Sequence, residues 1–189
     1  MPINYHGQPV YLPPGDPEQM SEPRLHAPGQ LGVRFTIKQP AGPGTVGAED
    51  YRSKTYQLVR TDSTMTVSPF KGAVAWWADK TAYTVTTSPT TLGRGRVAGV
   101  FQNLAAYPIT KGHYTCIQTR GPGIVKFIDA VTAAPTIAGL QVIPSATAGK
   151  ADTMAAGTAA TYPVLGVTAS VYDAVNAEAI VDLDVPETT

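Results

Sequence analysis

From residue 51 onward the apolar residues of this chain fall in short runs at a spacing that suits strands and not helices. Candidate strands are TYQLVRT (55–61), GAVAWW (72–77), AYTVTT (82–87), RVAGVF (96–101), HYTCIQT (113–119), GIVKFI (123–128), LQVIP (140–144), PVLGVT (163–168) and AIVDLDV (179–185). Clusters that favour turns, among them SPTTLGRG, TRGPG and SATAGKAD, separate them. No long stretch of apolar residues recurs with a period of 3.6. The expected fold is therefore all-β, a small β-barrel or β-sandwich of short antiparallel strands. The valine-, alanine- and glycine-rich tract from 72 to 186 carries most of it.

Residues 1–50 differ. They hold nine of the seventeen prolines and seven glycines, and proline both fixes φ and removes a backbone donor, which bars it from helix interiors and central strands. We expect an extended Pro/Gly-rich N-terminal arm, followed by a β-domain over 51–189. Within the arm, LGVRFTIKQ (31–39) alternates Val33, Phe35 and Ile37 with Arg34, Thr36 and Lys38, the pattern of one anchored, half-buried strand. The apolar residues Ile3, Tyr5, Val10, Tyr11 and Leu12 are unlike a solvated tail and suit ordering against a neighbouring subunit.

Two stretches of the β-tract resemble one another at an offset of 67 residues. Gly72 aligns with Gly139, V-A-G-V (97–100) with V-L-G-V (164–167), and the strand near HYTCIQT with AIVDLDV within a one-residue shift. Chance similarity of Ala- and Val-rich sequence is the alternative. A real duplication would give two similar β-layers in one domain.

Net charge is zero and 15% of residues are charged, so no overall field favours nucleic acid or an anionic membrane. The charge is polarised, however. Residues 1–126 hold 13 of the 14 Lys and Arg but 7 of the 14 Asp and Glu, giving +6, and the remainder is −6. Such a chain is suited to head-to-tail docking with copies of itself or onto a charged scaffold, or else presents two solvated faces. The N-terminal residues lack the pattern of a secretory signal and no run reaches membrane-spanning length, so synthesis in a cytosol is expected.

Candidate chemistry is sparse. G-P-G-T-V-G (42–47) satisfies the letter of a dinucleotide fingerprint, but it follows a proline-rich segment and precedes a strand, not a helix. Cys116 alone excludes an internal disulfide, and alternation separates His113 from Tyr114 and Cys116. Asp182 and Asp184 share the solvent face of a strand with Val181, Leu183 and Val185 beneath, an acidic stripe and not a cleft dyad. No catalytic, cofactor or metal residues are assigned, and the chain is expected not to be an enzyme.

Interface candidates remain. Trp76 and Trp77 are adjacent, so a strand sends them to opposite faces; one enters the core, and the other lies outside or between subunits unless the arm covers it. Arg94 and Arg96 in G-R-G-R form a basic turn suited to an intersubunit contact. Val33 and Phe35 lie on the arm strand.

The segments PFKGAVAWWADKTAYTVTT, GRGRVAGVFQN, GHYTCIQ, SATAGKADTMAAGTAATYPVLGV and VDLDVP resemble the bacteriophage capsid decoration, or cement, proteins. The resemblance covers about two thirds of the chain and rests on an ordered series of glycine-turned strands. It implies a β-barrel or sandwich that trimerises on the virion, outside the phage head, and bridges neighbouring major capsid protein subunits, with the arm reaching the lattice. The length of the arm departs from a compact cement domain. Two alternatives stand beside it: a tail or head-fibre β-protein, and a carbohydrate- or host-surface-binding module with Trp76 or Trp77 and Tyr83 as a stacking platform.

Overall fold

The computed structural model describes residues 21–22, 31–38, 53–89, 97–103, 109–129, 139–154 and 163–185. Among them are eleven strands: β1 (Ser21–Glu22), β2 (Arg34–Lys38), β3 (Ser53–Thr61), β4 (Val74–Asp79), β5 (Thr84–Thr86), β6 (Val97–Phe101), β7 (Tyr114–Lys126), β8 (Gln141–Pro144), β9 (Ala151–Thr153), β10 (Gly166–Thr168) and β11 (Glu178–Asp184). The described residues contain no helix, and the protein is all-β.

Five strands close into a barrel. The order β3-β5-β4-β6-β7 returns to its start because β7 also pairs with β3, from Thr55↔Arg120 to Arg60↔Tyr114. Every neighbouring pair in this ring is antiparallel except β3 and β5, which run parallel through Arg60↔Thr84 and Thr61↔Val85. Val59, Ala75, Trp77, Val85, Ala98, Phe101 and Ile117 fill the interior, all buried. Burial of the larger of these side chains stabilises the fold by roughly 1.5–3 kcal/mol each.

The remaining strands repeat this ring pair by pair. Ala75↔Gly99 in the first unit has its counterpart in Val142↔Gly166, and Trp77↔Val85 in Pro144↔Ala151. Phe101↔Ile117 returns as Thr168↔Val181, and Val59↔Thr115 as Val125↔Ala179. Even the parallel contact recurs, since the isolated bridge Phe127↔Ala151 stands where Thr61↔Val85 stands in the first ring. The strand leads repeat as well: Gly72 N donates to Phe101 O at 2.7 Å and Gly139 N to Thr168 O at 2.7 Å. The strand order and pairing of the first unit thus recur in the second, but Ile117 corresponds to Val181, three residues off the 67-residue offset and not within the one-residue shift expected from sequence. The second unit, β7-β11-β10-β8-β9, is held closed by a single bridge.

The two units share β7, whose thirteen residues serve the first ring with one half and the second with the other. Sequence reading placed a turn at TRGPG, between two strands. In the structure these residues are inside β7, and Pro122 pairs with Asp182. The turn chemistry is used to bend the strand instead: Gly121 has φ +83, and a Cβ there would run into Ser53 O. Conversely, β9 begins in the last two residues of the turn-forming cluster SATAGKAD and ends at Thr153.

The units pack side by side. The outer surface of the first barrel contributes Val74, Trp76, Val97 and Val100 to the same buried cluster that fills the second unit with Val125, Phe127, Val142, Leu165, Val181 and Leu183. The turn between β8 and β9 is fixed to the first barrel, with Val74 N donating to Gly149 O at 2.9 Å and Gly149 N to Thr87 O at 2.8 Å. On another side of the first barrel, Leu31, Phe35 and Ile37 cover Tyr56, Leu58 and Cys116. The expected arm strand is therefore β2, antiparallel to β3 from Arg34↔Gln57 to Lys38↔Ser53. A second anchor, β1, pairs with β7 at Ser21↔Thr115 and was not anticipated.

Candidate interaction surfaces

The duplication makes corresponding surfaces of the two units directly comparable. In the first barrel the outward residues Tyr56, Leu58, Val74, Trp76, Val100, Cys116 and Gln118 are all buried, with Trp76 and Val100 at 0% exposure. Their partners by register in the second unit are Pro122, Ile124, Gln141, Ile143, Val167, Ile180 and Asp182. None of these is buried; Val167 is 41% and Ile180 44% exposed. The outer wall of the first barrel is wrapped, and that of the second is open.

Pairing across β7, β11, β10 and β8 sets Ile124 beside Ile180, and Pro122, Asp182, Val167 and Gln141 in one row. Ion pairs flank these rows, Lys126 with Glu178 at 2.7 Å and Arg120 with Asp184 at 3.1 Å. The latter pair is well exposed and worth at most about 1 kcal/mol. Asp182 has no ion-pair partner among the described residues. The acidic stripe expected at Asp182 and Asp184 is present on the solvent face, with Val181, Leu183 and Val185 buried beneath. Ile180 interrupts it.

The loop joining β10 to β11 is tightly built. Asp173 Oδ1 accepts from Val175 N at 2.9 Å, its Oδ2 accepts from Asn176 Nδ2 at 2.7 Å, and Asp173 bridges to Glu178. Hydrogen bonds from Asn176 and Val175 hold the Asp173 carboxyl below the usual carboxylate range. Lys126 Nζ donates to Asn176 O at 2.7 Å, tying the loop to β7. Val175 at its tip is 93% exposed.

Of the residues singled out by sequence, Trp76 and Trp77 do go to opposite faces, but both are buried, at 0% and 9%. Trp76 belongs to the cluster between the units and Trp77 to the barrel interior, where Tyr83 meets it edge-on at 6.2 Å. Neither offers an external anchor or a stacking platform for a sugar, which corrects that expectation. The reason is duplication: packing one barrel on another covers the outer face that a lone sheet would expose. Phe35 is half-buried and stacks on Tyr56 at 6.0 Å, whereas Val33 is 48% exposed. Arg94 and Arg96 lie outside the described residues.

Burial pushes the Cys116 thiol up to about 12, which suppresses the thiolate that any nucleophilic role needs. Among the described residues no group of three or more His, Cys, Asp or Glu side chains is arranged to hold a metal. Val167 and Ile180 were not identified from sequence as surface candidates, whereas Asp182 was placed on the solvent face. The signal was present in two places: V-L-G-V aligns Val167 with the buried Val100, and AIVDLDV puts Ile180 on its acidic face. Comparison with family models, with curated proteins and with solved structures gave no match.

Proposed function

We propose that this protein is a non-enzymatic structural component of a phage virion, which binds the outer surface of the capsid and stabilises the shell by bridging major capsid protein subunits. One observation carries the reading: the second unit leaves a partly apolar outer wall open, with Val167 and Ile180 exposed, while the interiors of both units are filled by side chains. The resemblance of the β-tract to decoration proteins, the two strands anchoring the proline-rich N-terminal region, and the +6 and −6 division of charge support the same role.

The mechanism is mass action. A ligand that binds the assembled shell and not its dissociated subunits stabilises the shell by its binding free energy, repeated over many sites. Proline in the arm reduces the entropy lost when it orders against a partner. Self-association, with a trimer as the favoured stoichiometry, belongs to the reading.

Mixing purified protein with undecorated heads of the phage that encodes it tests the proposal. Saturable binding at symmetry-related positions and increased resistance of the heads to heat are expected. Absence of binding to those heads overturns it. Location on the tail or on a head fibre, read from a low-resolution map of the particle, would replace it with the fibre alternative.

A further inference from the structure

We infer that the open outer wall of the second unit is a docking site for a second copy of this chain, which repeats between molecules the contact that the two barrels make within one. The inference develops the self-association part of the proposed function and does not depend on the shell.

The argument begins with the paired registers. Val74, Trp76 and Val100 on the first barrel are buried because the second unit packs on them. Their counterparts Gln141, Ile143 and Val167 occupy the same places in the second unit, and none of the three is buried. An exposed face of an antiparallel sheet is ordinarily polar by alternation. Here Val167 and Ile180 are exposed and Ile124 and Ile143 half-buried around Asp182, and grouped exposed apolar residues are a mark of association.

Continuity with the internal contact names the occupant. Within the chain, the β8–β9 turn reaches the first barrel's wall through Gly149 O and Val74 N. Its counterpart in the first unit is the β4–β5 turn, where Lys80, Thr81 and Ala82 are exposed. Repeating the contact brings this turn of one molecule to the second-unit wall of the next. Charge agrees with that placement. Lys80 has no ion-pair partner among the described residues, and Asp182 in the middle of the wall has none either. The carboxylate beside Lys80, Asp79, is engaged in holding Thr81 N and Ala82 N at 2.9 and 3.1 Å.

Because wall and turn are different patches, the contact is heterologous, and copies add head to tail until a ring closes or a filament grows. This property makes the test specific. Sedimentation velocity of the full chain, from low micromolar to near-millimolar concentration, should show self-association that weakens with added salt. Val167→Asp combined with Ile180→Asp should weaken it at least about tenfold, as should Lys80→Glu combined with Ala82→Glu. All four positions face solvent in the monomer, and circular dichroism checks that the β-fold is retained. Val175→Asp adds the same charge away from the wall and should leave association unchanged.

Mixing the two double variants is decisive. Each retains one intact patch, so the mixture should form a one-to-one pair and nothing larger. A wild-type chain that stays monomeric throughout, wall variants that associate like wild type, or a mixture that forms no pair overturns the inference. A monomer that nevertheless binds undecorated heads would assign the wall to the shell instead. Self-association without head binding would uphold this contact and overturn the virion reading.

Discussion

Gly32 lies directly against the ring of Tyr83, so that a Cβ on the glycine would overlap the ring atoms. Both residues have left-handed backbone, with φ +85 at Gly32 and +50 at Tyr83. The contact joins the N-terminal segment to the β4–β5 turn, supported by Gly32 N donating to Leu58 O at 2.8 Å and Arg60 N to Tyr83 O at 3.0 Å. Gly32→Ala should therefore cost about 1–3 kcal/mol, from backbone strain plus displacement of the ring. In a Tyr83→Gly background the same change should cost only the strain, about 1 kcal/mol. Denaturant unfolding of the four variants measures the coupling; strictly additive costs would show that the ring contact does not constrain the glycine.

The duplicated units make a paired prediction. A Cβ on Gly99 would come within 2.6 Å of Gln118 O, and one on Gly166 would collide with Asp182 O. These are corresponding positions on corresponding strands, β6 against β7 and β10 against β11. Gly99→Ala and Gly166→Ala should each destabilise by more than about 2 kcal/mol, because backbone has to move. Gly139→Ala meets nothing within 4 Å and should cost only its positive-φ strain, about 1 kcal/mol. Thermal melts of the three variants give the order.

Trp76 separates packing from polarity. It is fully buried between the units, and its Nε1 has no hydrogen-bond partner among the described residues. Trp76→Ala should cost about 3–5 kcal/mol through the cavity it leaves. Trp76→Phe loses part of that packing but also removes an unsatisfied donor, whose burial costs about 1–3 kcal/mol. Its net loss should stay below about 2 kcal/mol, as read from unfolding midpoints. Equal losses for the two variants would contradict this division.

Cys116 couples stability to alkaline pH. Burial raises the thiol from 9.0 to about 12, so the folded state holds its proton more tightly than the unfolded state. Its contribution is complete below pH 9 and is lost as pH rises toward 12, at up to about 1.4 kcal/mol per pH unit. Cys116→Ala should lower stability at neutral pH by leaving a small cavity, yet flatten the decline between pH 9 and 12. Labelling of the wild-type thiol at neutral pH should track global unfolding; rapid labelling of native protein would mean that the site opens locally.

Much of the architecture was legible locally. Alternation in LGVRFTIKQ located β2, short apolar runs located nine other strand segments, and AIVDLDV assigned its aspartates to solvent. These succeed because strand periodicity is a property of neighbouring residues. TRGPG misled for the opposite reason: glycine and proline mark a change of backbone direction, and whether the change ends a strand or bends it depends on the partners available on either side. β9 was hidden similarly, since ADT carries little strand propensity and is recruited by pairing with β8 and the bridge to Phe127.

Sequence alone determined the all-β class, the break between a proline-rich N-terminal segment and a strand-rich remainder, and the polarity of charge, and it left an internal similarity open beside chance. Only tertiary structure decided that the strand order of a closed five-stranded barrel recurs in a second unit sharing β7, that both tryptophans are buried, and that one wall is wrapped while its counterpart is exposed. The physical reason is that alternation specifies which residues share a face, but not what packs on that face. Trp76 and Ile143 occupy corresponding places on corresponding strands. Trp76 is enclosed because the second unit packs on it, and Ile143 stays half-buried because no third unit is found among the described residues.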